Sequence, residues 1–348
     1  MLYRFASHFC ACTALFTLDS FAFAQMPPLT PPAKPEPPAS AITRIKTEAE
    51  ALKPLVKSDL AKRFLEAIPR LPPVTPRSLY RDPETKALLS EAAVKNLDEE
   101  KRKTLTVIPI TEKVYYDTKY GTPLAYARVL EVWGAAGVKE LGGKRVLDFG
   151  YGTIGHLRLL ALCGASAVGV DVDPLLPALY SAPGDTGVMP GSKGSVTIVD
   201  GQFPASETVR KAIGGGYDLI LSKNTLKKGY IHPSQTVDKR LLVDLGVDDA
   251  AFVRALYDAL KPGGYVLIYN LSPAPAPPGQ PYKPWADGLS PFPRTVWEAA
   301  GFRVREFDRD DNAAARAMAR ALAWDKGPQP MDVENDLFAH YTLLQKPR

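Results

Sequence analysis

The chain has 348 residues, of which 33 are prolines, and a formal net charge of +5. This length suits one large α/β domain with additions. The modest charge, without a basic cluster interleaved with aromatics, gives no nucleic-acid signature. The sequence has no C-x-x-C or H-E-x-x-H spacing, and therefore shows no metal-site signature.

Residues 1–24 have the pattern of a signal peptide. A short positive start precedes an apolar core that is too short to span a bilayer, and Ala22-Phe23-Ala24 is an A-x-A cleavage site. This pattern predicts a periplasmic or secreted protein with no transmembrane span after cleavage. The alternative is a cytoplasmic protein whose apolar start is not used as a signal.

Two segments separate this start from the main domain. Residues 25–40 form a proline-rich linker that we expect to be disordered. Residues 41–113 are predicted to be a helical N-terminal extension, in which Pro54 divides the first helix and Ser58 caps the next, with a further helix over 82–96. We interpret the extension as structural cover, with a lid as the alternative.

The most informative stretch runs from Arg145 to Asp171. A buried strand leads into Gly150 and Gly152, where the backbone turns tightly and a ligand can approach, and a helix starts at Gly155. Asp171 ends the next strand, where nucleotide folds place a carboxylate for a ribose diol. Asp148 argues against NAD or FAD, because it would repel a pyrophosphate. A carboxylate there suits a ligand that is cationic near the turn, and a glycine turn without any nucleotide is the alternative to a ligand site.

Later elements continue the α/β alternation. A third strand ends at Asp200-Gly201, and a fourth covers 217–222. An amphipathic helix over 248–260 stops at Leu260-Lys-Pro-Gly-Gly264, which leads into a fifth strand over 265–270. A helix, a strand, a helix and a last strand at 337–345 follow the proline-rich loop 272–293, which we interpret as a substrate cap.

The glycine segment resembles motif I of the class I S-adenosylmethionine-dependent methyltransferases, and Leu260-Lys-Pro-Gly-Gly264 is a second resemblance to them. The third glycine usual in motif I is Ile154 here. The resemblance covers about 116–346. It implies that residues 114–348 form a Rossmann-like α/β domain, whose seven-stranded, mostly parallel sheet has an antiparallel last strand, and that the cofactor is S-adenosylmethionine.

The resemblance also implies site residues. Asp171 would hold the ribose diol, and Asp200 with Gly201 would read the adenine amino group. The full set of predicted cofactor-binding residues is Tyr120, Asp148, Gly150, Gly152, Asp171, Val172, Asp200, Gly201 and Ser222. No metal is expected.

The catalytic candidates follow strands four and five, because ligands in open α/β sheets lie beyond the carboxyl ends of the strands. They are Lys223, Asn224, Tyr230, His232 and Asn270. His232 is a candidate base, although a lone histidine before a proline is more often a surface residue. Asn224 and Asn270 would orient an acceptor by hydrogen bonds, and Lys223 would bind an acidic substrate or the cofactor carboxylate.

The leading hypothesis is S-adenosylmethionine-dependent methyl transfer to a small-molecule acceptor. One alternative is an exported, non-catalytic protein that retains the fold for binding. The other is an aminopropyl-transferase-like enzyme, against which the basic loop at Lys223, Lys227 and Lys228 argues. The sequence does not indicate an oligomeric state.

Overall fold

The computed structural model of the protein describes residues 40–118 and 121–348. The predicted signal peptide, residues 25–39 of the predicted linker, and Tyr120 therefore lie outside the described residues. Within the described ranges, no helix is both long and apolar enough to cross a membrane.

The extension begins with two helices, α1 (Ala41–Leu52) and α2 (Asp59–Glu66), separated by a 3-10 turn at Lys53–Leu55. This confirms the predicted break at Pro54. It also confirms the predicted cap, because Ser58 Oγ accepts a hydrogen bond from the Ala61 amide at 3.2 Å.

The helix predicted over 82–96 is wrong for most of its length. The extension instead contains a three-stranded antiparallel sheet in the order β2-β1-β3, with two short helices between β2 and β3 and one after β3. These elements are β1 (Arg77–Arg81), β2 (Leu88–Ser90), α3 (Glu91–Lys95), α4 (Glu99–Thr104), β3 (Thr106–Ile110) and α5 (Glu112–Asp117). Strand β1 pairs with residues up to 33 positions later in the chain, and such pairing leaves little local signal in a sequence.

The main domain alternates strands and helices as predicted. Its strands are β4 (Arg145–Phe149), β5 (Ser166–Asp171), β6 (Gly187–Val188), β7 (Ser195–Asp200), β8 (Tyr217–Lys223), β9 (Leu260–Ser272), β10 (Arg303–Asp310) and β11 (Phe338–Gln345). Its helices are α6 (Ala127–Ala135), α7 (Gly155–Leu162), α8 (Leu175–Leu179), α9 (Glu207–Ile213), α10 (Lys228–Ile231), α11 (Asp249–Ala259), α12 (Arg294–Ala299) and α13 (Asn312–Ala321).

The large sheet has eight strands in the order β10-β11-β9-β8-β4-β5-β7-β6. Strands β4, β5, β7, β8 and β9 run parallel, and β11 lies antiparallel between β9 and β10. This confirms the predicted Rossmann-like sheet with an antiparallel last strand. The two-residue β6 adds an antiparallel eighth strand that the sequence did not predict.

Apolar side chains pack on both faces of this sheet. One face supports α9, α11 and α12 through residues such as Phe252 and Trp297. The other face carries α6 and α7 together with the extension, so that Phe64 of α2 and Leu160 of α7 belong to one continuous core. The extension and the main domain therefore share one hydrophobic core.

Candidate functional site

The glycine turn follows β4 as predicted. Gly150 and Gly152 have φ angles of +76° and +55°, a left-handed conformation that side chains rarely allow. A Cβ on Gly150 would lie 2.2 Å from Thr225 Oγ1, so Thr225 packs directly on the turn. Residues 151–155 are all buried.

Asp171 at the end of β5 holds this turn in place. Its Oδ2 accepts a hydrogen bond from the Gly152 amide at 3.0 Å, and its Oδ1 accepts from the amides of Val172 at 2.8 Å and Asp173 at 3.0 Å. Burial raises the pKa of Asp171, and the backbone hydrogen bonds oppose that shift. The side chain thus joins the glycine turn to the end of the second parallel strand.

Asp200 lies beside Asp171, because the two residues are register partners in β5 and β7. The Gly201 amide donates to the Asp171 carbonyl at 2.9 Å, and Asp200 itself is exposed. Val172 is 58% exposed, which is unusual for a large apolar side chain. We call Asp171, Val172, Asp200 and Gly201 the strand-end rim.

Asp148 points elsewhere. Its Oδ2 lies 2.6 Å from His156 Nε2, both side chains are fully buried, and the Tyr126 ring stacks on the imidazole with a centroid distance of 3.6 Å. Burial lowers the pKa of His156, which favours a neutral ring that donates Nε2–H to the carboxylate. Asp148, Asp171 and Asp200 were all predicted to bind the cofactor, but the structure places Asp171 beside Asp200 and pairs Asp148 with His156.

Two of the catalytic candidates bond to each other, Asn224 directly after β8 and Asn270 near the end of β9. The Asn224 amide donates to Asn270 Oδ1 at 3.1 Å, and Asn224 Oδ1 accepts from the Leu271 amide at 2.7 Å. Asn270 Nδ2 donates to the carbonyls of Leu226 at 2.8 Å and Gly288 at 3.0 Å. These bonds tie the predicted cap to the ends of both strands.

Lys223 lies nearer to the buried pair. Its side chain is mostly buried, and Nζ lies 5.3 Å from the centroid of the Tyr126 ring. The charge of Lys223 also lowers the pKa of His156, as a secondary cause after burial. Ser222, directly before it, is buried and accepts from the Leu226 amide at 3.3 Å, so it shapes the loop.

Tyr230 and His232 are placed differently. Tyr230 is buried within α10. His232 lies 2.9 Å from Asp249 of α11, has a side chain that is 46% exposed, and contacts the Phe292 ring. The structure does not bring His232 to Lys223, Asn224 and Asn270.

The sequence reasoning missed several residues here. One is Thr225. Another is Lys227, which the sequence showed only as part of a basic loop. It is fully buried, and its Nζ donates to the carbonyls of Leu271 at 2.5 Å and Trp285 at 3.1 Å. Tyr151 is another: its ring fills the space above Gly169, where a Cβ would lie 2.7 Å away. A glycine inside a buried strand signals such an approach, so Gly169 was an available clue.

Comparisons with known proteins found similar solved structures of low sequence identity. No family model matches the chain, and neither does any curated protein. Similar solved structures include the 4+2 cyclase SpnF, at 16% identity over 63% of this chain and 80% of that one, with a TM-score of 0.34. An S-adenosylmethionine-dependent methyltransferase from Mesorhizobium loti shows 18% identity over 64% and 97%, with a TM-score of 0.35.

A third similar structure is that of phospholethanolamine N-methyltransferase 2 from Haemonchus contortus, in complex with phosphomonomethylethanolamine and S-adenosylhomocysteine. It shows 14% identity over 82% of this chain and 75% of that one, with a TM-score of 0.37. All three TM-scores are below 0.5, so the description of the fold rests on the chain's own strands. Their order, with β11 inserted antiparallel, is the arrangement implied by the resemblance to the class I S-adenosylmethionine-dependent methyltransferases.

Proposed function

We propose that this protein is an S-adenosylmethionine-dependent methyltransferase that acts on a small-molecule acceptor. The observation that carries the proposal is the strand-end rim, where Asp171 and Asp200 lie side by side next to a glycine turn. Ligands of open α/β sheets bind at this edge, outside the carboxyl ends of the strands.

The rim suits the nucleoside part of the proposed cofactor. Carboxylates accept hydrogen bonds from a ribose diol and from an amino group, and the exposed Val172 offers an apolar contact for an adenine ring. Asp148 does not suit the cationic part, because it is fully buried against His156. The strand-end rim would therefore hold the cofactor. Asp148 would instead help to fix α7 against β4 through its contact with His156.

The remaining candidates support orientation of the acceptor. Methyl transfer is an in-line displacement at a sulfonium methyl, so holding the donor and the acceptor in line supplies much of the acceleration. Asn224 and Asn270 are rigidly bonded at the strand ends, and Lys223 adds a positive charge there. We place the acceptor between these residues and the cap, and we retain export of the protein as part of the proposal.

Replacing Asp171 tests the proposal. We expect Asp171→Ala to weaken the binding of S-adenosylmethionine and S-adenosylhomocysteine about tenfold or more, because hydrogen bonds to a charged group are lost. Isothermal titration calorimetry measures this, with circular dichroism to check the fold. Asp59→Asn, at an exposed position of α2, is the matched control and leaves affinity unchanged. Equal affinity of the wild type and Asp171→Ala would contradict the assignment of the rim.

One observation favours a second candidate, a non-catalytic protein that retains the fold. Thr225 packs on Gly150, and residues 151–155 are buried, so protein atoms already cover the glycine turn. The same titration separates the candidates. A wild type that binds neither compound at millimolar concentration supports the non-catalytic protein, whereas binding followed by transfer of a labelled methyl group supports the enzyme.

A further inference from the structure

A cavity lies at the end of the large sheet opposite the strand-end rim, where the parallel strands begin. It has a volume of about 370 Å³ and is lined by four cationic side chains, Lys139, Lys144, Lys261 and Arg348, and by two acids, Glu140 and Asp218. Its lip exists because the pairing of β8 with β9 jumps from Leu260 to Tyr265, so that residues 261–264 bulge away from the sheet.

Both acids of this cavity already have partners. Asp218 Oδ2 accepts from the Arg145 amide at 2.8 Å and from Lys261 Nζ at 3.1 Å. Glu140 lies 3.8 Å from Arg63 of α2. Asp218 therefore neutralises Lys261, and Glu140 is shared with Arg63 outside the cavity, so among the described residues the other cations of the lining have no ion pair of their own.

Those other cations are Lys139, Lys144 and Arg348. Among the described residues, no hydrogen bond or ion pair engages their side chains. Lys144 is half-buried, whereas Lys139 and Arg348 are exposed. Like charges that share one cavity repel each other, and an anion between them would remove that repulsion.

The ends of two helices offer a competing explanation. Helices α6 and α11 both end on this side of the sheet, and cations near the carboxyl end of a helix are stabilised by its dipole. Each helix end supplies roughly half a negative charge, which the cations outweigh. The four cations exceed the two acids of the lining by two charges, and the helix ends offset about one of these, so about one positive charge remains for a bound ligand.

We propose that this cavity is an anion site that takes the phosphate group of a small molecule. Arg348 offers the planar, forked donors that match phosphate oxygens, and the lysines add point charges. The proposal is independent of the proposed function, because the cavity shares no residue with the strand-end rim.

Calorimetry of the full chain with sodium pyrophosphate, at constant near-physiological ionic strength, tests the proposal. We expect saturable binding by the wild type, and a dissociation constant raised about tenfold in Lys144→Gln and in Lys139→Gln. Lys46→Gln, on the exposed side of α1, removes the same charge outside the cavity and leaves the constant unchanged. Repeating the titration with ADP separates two sources of phosphate: equal affinity assigns the site to phosphate alone, and a higher affinity that Lys144→Gln weakens but Asp171→Ala does not assigns it to a nucleotide.

Two results would overturn the proposal. One is the absence of saturable pyrophosphate binding by the wild type. The other is equal weakening in Lys46→Gln and Lys144→Gln, which would show only a general effect of net charge. A lowered melting temperature of Lys144→Gln without any binding by the wild type would assign the lysine to the helix ends instead.

Discussion

At the scale of single residues, His156 makes stability depend on pH. Burial lowers its pKa in the folded protein, whereas the unfolded chain takes up a proton near the usual value of about 6.5. The unfolded state then binds more protons, so the free energy of unfolding falls as the pH drops below about 6.5. The slope reaches at most about 1.4 kcal/mol per pH unit for this one group.

Urea unfolding at about pH 7.5 and about pH 5.5 measures this dependence. We expect His156→Gln to lose less stability between the two values than the wild type does. His232→Gln is the control, because His232 is half exposed and paired with Asp249. Identical losses in the wild type and His156→Gln would show that this histidine is not responsible.

The sequence was least informative at this scale. The position of Asp148 before the glycines suggested a carboxylate that faces a cationic ligand, whereas the structure pairs it with the buried His156. His156 lies eight residues later, and only the packing of α7 on β4 brings its ring to 2.6 Å from the acid. By contrast, the sequence shows that Asp171 and Asp200 each end a predicted strand. Their neighbouring positions follow because the two strands are parallel and adjacent in the sheet.

At the scale of elements, an ion pair joins α1 to the last residue of α5. Arg44 of α1 donates to both carboxylate oxygens of Asp117 at 2.7 Å, and the Asp117 side chain is 5% exposed. Thr118, the next residue, donates from Oγ1 to the Gly152 carbonyl at 2.9 Å. A helix far away in sequence is thus two contacts from the turn.

We expect Arg44→Met to lower the free energy of unfolding by about 1–2 kcal/mol. The change leaves the buried carboxylate of Asp117 with the exposed Lys113 as its remaining ion-pair partner. The partial exposure of Arg44 keeps the value at this level. Lys53→Met breaks the exposed pair with Glu50 and is the control, with an expected loss below about 0.5 kcal/mol. Equal losses from the two changes, measured by urea unfolding, would contradict a special role of Arg44.

At the scale of the whole molecule, the extension and the main domain share one core. Ile45 and Phe64 from the extension pack in the same cluster as Leu130, Leu160 and Leu267. We therefore expect a chain that starts at residue 114 to be insoluble or unfolded, and the chain from residue 41 to unfold in one calorimetric transition. A soluble, cooperatively folded 114–348 fragment would contradict this.

Local signals predicted the order of the elements well. Ser58 as a cap, the glycine turn and the last strand at 337–345 each came from residues close together in sequence. The small sheet of the extension and the shared core depend on contacts between distant segments, whose pattern is not local. The predicted boundary between 113 and 114 does not separate two cores.

The insertion of β11 has a consequence for synthesis of the chain on the ribosome. Strand β11 fills the place between β9 and β10, so the sheet is complete only after residues 338–345 have been made. Until then one side of β9 is a long open edge, and such edges pair readily with other chains. A nascent chain stalled before residue 338 would thus be aggregation-prone, even though every residue of the strand-end rim had already been translated.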